Sequence, residues 1–206
     1  MNIALFYDTE TTGLPLYDQP SDDPRQPHIV QLGAILVDLD ARKEIACLDL
    51  IVKPEGWEIP ADTTQVHGIT TEHARDVGVP ESLAVDMLLA LCGQRKRIGH
   101  NEPFDARLLR IALKRFADPR NISAATLPSD IWKAGASECT QRICTPLLTT
   151  HRKAQGLKGK TCSLAEAHEL LLGKPIEGAH SAIADARSCM SVYFAIQDQA
   201  AKEQRA

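Results

Sequence analysis

The sequence predicts an α/β fold in which a mixed central sheet is flanked by helices. The chain has 206 residues, of which 44% are hydrophobic, and this is ample material for the core of one domain. Short apolar segments typical of strands fill the N-terminal quarter, and longer segments with helical spacing of apolar residues follow them. The order is three strands, a helix, a strand and then helices, which indicates a mixed sheet.

The first three strands are predicted from runs of Ile, Val and Leu. Residues 2–8 (NIALFYD) form the first run, and residues 28–39 and 44–54 form two more, which the polar residues DARK separate. Residues 15–27, between the first two runs, contain four prolines and several acids. This composition predicts an exposed loop.

Two helices and a short strand are predicted in the middle of the chain. Residues 80–92 repeat apolar side chains at helical spacing and begin with Pro80, which suits a first helical turn. Residues 95–101 are typical of a short strand that runs into a turn. Residues 103–117 predict a second helix, on which we expect a solvent-exposed basic face formed by Arg107, Arg110 and Lys114.

The C-terminal part predicts two further helices after a less regular region. Residues 118–162 indicate a mixture of helix and loop. Ser163 and Glu166 form a capping box for the next helix, which is expected to end at Gly173. The last helix is expected from about residue 181 to residue 200.

The length and composition predict one domain over residues 1–200, with a tail over residues 201–206. The net charge and the aromatic content also exclude some classes of function. The formal net charge of −4 argues against a protein that clamps duplex DNA through bulk positive charge. An enzyme that holds a few phosphates through metal ions remains compatible with this charge. Aromatic residues make up only 4% of the chain, which is too few for an extensive base-stacking platform.

Several features predict a cytoplasmic protein that does not contact a membrane. No apolar run approaches the roughly 18 residues that a membrane span needs. The N-terminal apolar run is short and lacks a basic segment, so it does not predict a signal peptide. The six cysteines are scattered without a CxxC pair, and this favours reduced thiols over a zinc site or a disulfide framework.

Two acids follow the first predicted strand in the stretch YDTETTGL. Asp8 and Glu10 are two residues apart, so on a strand their side chains point to the same face. Ligands usually bind at the C-terminal end of strands in α/β sheets, and paired carboxylates suit Mg²⁺ or Mn²⁺. The alternative is an acidic turn that only closes the strand.

Two more segments carry chemical groups at helix starts. In GHNEPFDARLL, Asn101 is expected to cap a helix whose first turn contains Asp105, a position that the helix dipole alone would also favour. In EGAHSAIADARSC, His180 and Asp185 share a site if His180 lies at or just before the helix start. A neutral imidazole there accepts a proton; the alternative is a core histidine.

Three segments together are similar to the motifs of the DEDDh (DnaQ-like, proofreading-type) 3′–5′ exonuclease family. They are DTETTGL (8–14), HNEPFD (100–105) and HSAIAD (180–185), and VHGIT (66–70) resembles the segment between the first two motifs. The resemblance covers about residues 1–196. It implies a ribonuclease H-like fold.

The resemblance also implies roles for the matching residues. Asp8, Glu10, Asp105 and Asp185 would hold two Mg²⁺ or Mn²⁺ ions, and His180 would be the general base. The pocket for the terminal nucleotide would be formed by Thr11, Thr12, Gly13, Leu14, His67 and Asn101. In this pocket, backbone amides would lie near phosphate and Leu14 would contact a base.

The implied substrate is the 3′ end of single-stranded DNA, which would be shortened to nucleoside 5′-monophosphates. An RNA-trimming, oligoribonuclease-like enzyme is one alternative, and a non-catalytic module that recruits a partner is another. The five intact catalytic residues argue against the second alternative. A proofreading role would need a polymerase or another replication or repair partner.

Three features of the sequence differ from the simplest members of this family or lie outside its motifs. Loop 15–27 is longer than in the simplest members and is a candidate for substrate choice. Cys144 stands where relatives often carry Asp, which affects the local helix contacts. The basic segment 151–160 either guides a phosphate backbone or is simply a solvated loop.

Overall fold

A mixed sheet forms the centre of the computed structural model, which describes residues 2–117, 128–154, 156 and 161–203. Within these residues the sheet has five strands in the order β3-β2-β1-β4-β5. The strands are β1 (Ile3–Thr11), β2 (Ile29–Asp38), β3 (Lys43–Ile51), β4 (Lys96–Gly99) and β5 (Ser137–Cys139). β2 is antiparallel to β1 and β3, whereas β4 is parallel to β1 and β5. The predicted mixed sheet is confirmed.

Helices of very different length surround this sheet. They are α1 (Ala61–His67), α2 (Thr71–Val77), α3 (Glu81–Cys92), α4 (Glu102–Arg115), α5 (Pro128–Ala134), α6 (Thr140–Leu147), α7 (Thr149–Ala154), α8 (Leu164–Leu172) and α9 (Ala182–Glu203). The four longest correspond to the predicted helices. α9 continues three residues past the predicted boundary at residue 200, and residues 204–206 lie outside the described part of the chain.

The alternation of side chains along β1 divides the core between the two faces of the sheet. Leu5 and Tyr7 pack with buried residues of α3 and α4 on one face. Ala4 and Phe6 pack on the other face with Ile183 and other residues of α9. Each additional residue at the end of β1 therefore points either toward α4 or toward α9.

Four predicted helix ends are tested by the backbone. The capping box at Ser163 is confirmed, since both of its reciprocal hydrogen bonds with Glu166 are present, and Gly173 follows α8 with φ 70°. Pro80 is the residue before α3 and not part of its first turn, so that prediction is wrong. Asn101 precedes α4, but its left-handed backbone (φ 66°) differs from the extended form of a capping residue, and its side chain makes no capping bond.

The basic face of α4 is not the free solvent face that the sequence predicted. Arg107 donates to the carbonyl oxygens of Leu16 and Gln19, Arg110 contacts Ser21, and Lys114 lies 4.0 Å from Asp22. The sequence prediction failed because the partners belong to loop 15–27, about 90 residues earlier in the chain. No helix among the described residues is long and apolar enough to cross a membrane.

Two other sequence features have defined surroundings. Cys144 is fully buried and packs with Leu148, Cys162 and Val192, so an apolar cluster accommodates the thiol. In the basic segment, Arg152 is buried and its Nε lies 3.3 Å from Glu166 Oε2. It therefore neither guides phosphate nor belongs to a solvated loop. Lys158 and Lys160 of the same segment lie outside the described residues.

Candidate active site

The register of β1 and β2 places the first two acids against α9. Asp8 pairs with Gly33 and Glu10 pairs with Gln31 in the antiparallel ladder. Both acids are at even positions of β1, as are Ala4 and Phe6, whose side chains face α9. The predicted convergence of Asp8 and Glu10 on one face of the strand is thus the arrangement observed.

A glycine in β2 permits α9 to approach these acids closely. A Cβ atom on Gly33 would lie 2.2 Å from the backbone nitrogen of Ile183 and 2.6 Å from the carbonyl oxygen of Ala182. Only a residue without a side chain fits here, because both neighbours are backbone atoms. Gln31 adds a polar contact, since its Oε1 accepts a hydrogen bond of 3.1 Å from the amide of Ala182. These two residues hold the start of α9 against the sheet.

His180 lies just before α9 and is tied to Asp185 in its first turn. The backbone of His180 is left-handed (φ 65°), and its amide donates a 3.2 Å hydrogen bond to Asp185 Oδ2. The side chain of His180 is exposed. This is the predicted placement of the two residues, and it leaves the imidazole accessible to a substrate.

A group of potential metal ligands forms where β1 meets α9. One side-chain ligand atom from each of Glu10, His180 and Asp185 lies within 4.8 Å of the other two. Asp185 Oδ1 is buried and has no hydrogen-bond partner among the described residues. Carboxylate oxygens with an imidazole nitrogen suit a divalent cation, and a buried carboxylate oxygen without a donor is suited to one.

Asp105 reaches the same end of the sheet from α4. Its Oδ1 accepts hydrogen bonds from the amide of Thr9 at 3.0 Å and from the hydroxyl of Thr9 at 2.7 Å. Thr9 is the odd residue between Asp8 and Glu10, so it points toward α4 while they point toward α9. The sequence reasoning did not single out Thr9, although strand alternation contained the signal.

The pKa shifts show that the four acids are electrostatic neighbours. Burial raises the pKa of Asp8 well above its ordinary value, and the charges of Asp105, Asp185 and Glu10 raise it further. Burial, followed by the charge of Asp185, raises the pKa of Glu10 to about 7. Such a cluster favours a bound cation, which would offset the mutual repulsion.

Asp105 and Asp185 accept hydrogen bonds that partly oppose the rise in pKa caused by burial. The pKa of Asp105 is raised to about 7 by burial, even though the two bonds from Thr9 favour its charged form. Burial also raises the pKa of Asp185, against the bond from the His180 amide and the charge of His180. Asp105 and Asp185 are therefore oriented by donors while they remain costly to ionise.

A buried polar network holds the N-terminus of α4, and the sequence reasoning missed it. Glu102 accepts a 3.0 Å hydrogen bond from the hydroxyl of Tyr7 and lies 3.4 Å from Arg97. Arg97 donates to the carbonyl of Trp132 at 2.6 Å, and its guanidinium lies 4.0 Å from the centre of the indole ring. Glu102 is three residues from Asp105 in the same helix. This network therefore fixes the position of the helical turn that carries Asp105.

The residues predicted to contact the terminal nucleotide differ in how accessible their binding groups are. The amide of Thr12 donates to the carbonyl of His28 at 3.0 Å, and the amide of Gly13 lies 3.3 Å from Thr11 Oγ1. These two amides are thus already engaged, which leaves them poorly placed to bind phosphate. Leu14 is 75% exposed and free to contact a base.

His67 and Asn101 are the two remaining predicted pocket residues. The pKa of His67 is lowered by burial and then by the charge of His180, while the Thr11 carbonyl acts in the opposite direction. His67, at the end of α1, therefore lies near both β1 and the start of α9. Asn101 is exposed at the turn between β4 and α4.

A comparison with protein families decides the assignment. The family model described as an exonuclease (RNase T) matches residues 5–193. The chain belongs to this exonuclease family. The predicted DnaQ-like family is confirmed, and the match includes all three motifs that carried the resemblance.

Individual relatives match a smaller part of the chain. The DNA polymerase III subunit epsilon of Rickettsia felis is 37% identical over 109 residues, which cover 51% of this chain and 42% of that protein. The same subunit of Rickettsia conorii is 36% identical over 109 residues, 51% of this chain and 41% of the relative. The chain thus spans less than half the length of these curated relatives.

Solved structures of exonuclease I share the fold. One has a TM-score of 0.72 at 20% identity and covers 96% of this chain and 41% of its own. Exonuclease I of Methylocaldum szegediense gives 0.66 at 21% identity, again over 96% of this chain and 41% of the other. Escherichia coli exonuclease I bound to a dT13 oligonucleotide gives 0.64 at 19% identity, over 94% and 40%. The predicted ribonuclease H-like fold is confirmed.

Proposed function

We propose that this chain is a metal-dependent 3′–5′ exonuclease that hydrolyses the terminal phosphodiester of single-stranded DNA to a nucleoside 5′-monophosphate. The observation that carries the proposal is the meeting of Glu10, His180 and Asp185 within 4.8 Å, beside Asp8 and the Thr9-bound Asp105. All five residues that match the family motifs lie at one end of the sheet. We assign the activity to a single domain that includes the whole of α9, which passes the predicted boundary at residue 200 and ends at Glu203.

The four acids are the residues that would hold the metal, and we propose two Mg²⁺ or Mn²⁺ ions. The fit rests on the donor set, on the buried and unpartnered Asp185 Oδ1, and on the raised pKa of Asp8. When bound, such ions supply Lewis-acid activation and neutralise charge on the phosphate oxygens. The zinc-bound complex of E. coli exonuclease I with single-stranded DNA supports a divalent metal in a protein of this fold.

The chain's own residues position and move the proton. His180 is exposed beside the acids, and its neutral imidazole is the group that accepts a proton from the attacking water. The hydrogen bond from its amide to Asp185 Oδ2 fixes the distance between this base and an acid of the cluster. Thr9 orients Asp105 through two hydrogen bonds, so that the carboxylate does not depend on the metal for its position.

The 3′ terminal nucleotide would lie against Leu14 and His67, with Thr11, Thr12, Gly13 and Asn101 at the edges of the same pocket. DNA is favoured because solved complexes of E. coli exonuclease I contain a dT13 and a dA16 oligonucleotide. The relatives named as polymerase III subunits also support a polymerase as a partner of this chain. RNA remains the competing substrate, and the following experiment separates the two.

The test uses four matched oligonucleotides of one sequence: single-stranded DNA, blunt duplex DNA, single-stranded RNA and an RNA–DNA duplex. Each is incubated with Mg²⁺, and the rate of mononucleotide release is measured. The proposal expects the fastest release from single-stranded DNA and none with EDTA or with Asp8→Asn. Asp62→Asn, in an exposed acid of α1, is the matched control and should leave the rates unchanged. Faster release from RNA would assign the enzyme to RNA trimming, and no release from any substrate would overturn the proposal.

A further inference from the structure

Loop 15–27 has an internal framework that fixes its shape. Gln26 is 2% exposed, and its Oε1 accepts a 3.0 Å hydrogen bond from the amide of Leu16. Its Nε2 donates to the carbonyl oxygens of Leu16 and Pro20, each at 3.0 Å. At the base of the loop, Thr12 and His28 exchange two further hydrogen bonds. A loop with such bonds presents its exposed side chains in a defined position.

The same loop lies along α4, in an order that brings its first part toward the acid cluster. Arg107 Nη2 donates to the carbonyls of Leu16 and Gln19, at 2.9 and 3.0 Å. Arg115, two turns later in α4, donates to the carbonyls of Gln26 and Pro27. The start of the loop is thus beside the N-terminal half of α4, which carries Asp105, and its end is beside the distal half.

Tyr17 is the exposed aromatic residue that this arrangement presents. Its side chain is 64% exposed, although the guanidinium carbon of Arg107 lies 5.2 Å from its ring centre. The guanidinium supports the ring through a cation–π contact while most of the ring surface faces solvent. Leu14, three residues earlier, is 75% exposed, and a chain of three residues spans at most about 10 Å. The backbone positions of Leu14 and Tyr17 therefore lie within about 10 Å of each other, a few residues after Glu10 of the acid cluster.

The exposed charge next to Tyr17 favours a base over a phosphate as its ligand, since the nearby Arg107 guanidinium already donates to the carbonyls of Leu16 and Gln19. Asp18 is exposed and adjacent to Tyr17, while Asp23 is paired with Arg25 and Asp22 lies near Lys114. A phosphate at this surface would face the Asp18 carboxylate. The face of an uncharged base meets no such repulsion, and every base has a face that stacks on an aromatic ring.

We propose that Tyr17 stacks on the base of the second nucleotide from the 3′ end. This inference rests on the proposed function, and it deepens it by giving loop 15–27 a role in binding single strands. Leu14 contacts the terminal base in the proposed pocket, and Tyr17 is the next exposed apolar side chain along the rigid loop. In an intact duplex the second base is paired and stacked, so this contact is available only to single strands or opened ends.

The test compares Tyr17→Ala and Tyr17→Phe on three substrates of the wild-type enzyme. The first is a single-stranded DNA oligonucleotide, the second is the same strand with an abasic site at the second position, and the third is the p-nitrophenyl ester of thymidine 5′-monophosphate. Tyr17→Ala should raise the KM for the intact strand about 10-fold, a loss typical of one base–aromatic stack. Tyr17→Phe should restore it. Arg25→Ala, in the exposed part of the loop farther from Leu14, is the control and should change nothing.

The other two substrates separate a base contact from a structural effect. On the abasic strand, Tyr17→Ala and the wild type should have the same KM, because the stacking partner is gone. On the mononucleotide ester, which has no second base, kcat/KM should stay within about twofold of the wild type. An unchanged KM on the intact strand, or an equal loss on all three substrates, overturns the role of Tyr17. A wild type that hydrolyses neither the strand nor the ester instead overturns the proposed function, and the inference with it.

Discussion

The acid cluster should make the metal-free protein less stable as the pH rises. The pKa of Glu10 is raised from 4.5 to about 7 in the folded state. Between these values the unfolded chain has released the proton and the folded chain has kept it, so the contribution of Glu10 to stability is fully present below about pH 4.5 and is lost as the pH rises through 7. The pKa of Asp105 is raised in the same direction, to about 7.

The size of the effect follows from the shift of Glu10. A shift of about 2.5 pKa units corresponds to about 3 kcal/mol, at 1.36 kcal/mol per unit. About 2.5 kcal/mol of this is lost between pH 5 and pH 8, which for a chain of 206 residues is a fall of about 5–10 °C in Tm. The added contributions of the neighbouring acids are not independent of this one, because each raises the pKa of the others.

The assay is thermal unfolding in EDTA at pH 5, 6, 7 and 8, for the wild type, Glu10→Gln and Asp8→Asn. Both variants should have a flatter pH dependence than the wild type and a higher Tm at pH 8. Glu55→Gln, in an exposed glutamate, is the matched control and should keep the wild-type slope. Mg²⁺ should raise the wild-type Tm more at pH 8 than at pH 6, since the ligands must be deprotonated. An equal pH slope in Glu10→Gln and the wild type would refute the account of the cluster.

The other predictions concern the base, the close approach of α9 and the network beneath α4. His180→Ala should lower the exonuclease rate by about 10²–10⁴-fold while Mg²⁺ still raises the Tm; a near-wild-type rate with the same pH profile would place the base elsewhere. Gly33→Ala should abolish activity and lower the free energy of unfolding in urea by at least about 2 kcal/mol, because its Cβ would lie 2.2 Å from the Ile183 nitrogen. Full activity in this variant would show that α9 tolerates displacement. Glu102→Ala should cost about 3–5 kcal/mol in the same urea experiment, since it leaves Arg97 buried without its carboxylate. A loss below about 1 kcal/mol would mean that Arg97 is satisfied by Trp132 alone.

The sequence predicted those elements whose local pattern agrees with their tertiary surroundings. β2 is rich in Ile, Val and Leu and nearly all of it is buried, and α8 has its cap and its glycine end in the sequence itself. α1 was missed because none of its residues is buried, so no apolar stripe is present in its seven residues. α5, β5, α6 and α7 are short as well, and their patterns gave no clear period.

The placement of the motif residues relative to the helices was predicted from the sequence. The contacts that depend on the pairing of β1 with β2 were missed. The placement of His180 before α9, with Asp185 in the first turn, followed from helix geometry. Gln31 and Gly33 were not singled out, since their roles depend on which residues of β1 they pair with. Arg107 was predicted to face solvent because helical spacing alone cannot show a contact with a loop 90 residues away.

The polarity of digestion tests the central claim most directly. A 5′-labelled single-stranded DNA oligonucleotide is incubated with Mg²⁺, alongside the same strand carrying a 3′-phosphate. Products are resolved by length for the wild type and for Asp8→Asn. The account predicts a ladder of labelled strands that shorten from the 3′ end, strong slowing by the 3′-phosphate, which adds charge where the terminal hydroxyl lies, and no ladder with Asp8→Asn. Immediate release of a labelled mononucleotide from the 5′ end, or an unchanged ladder with Asp8→Asn, would contradict it.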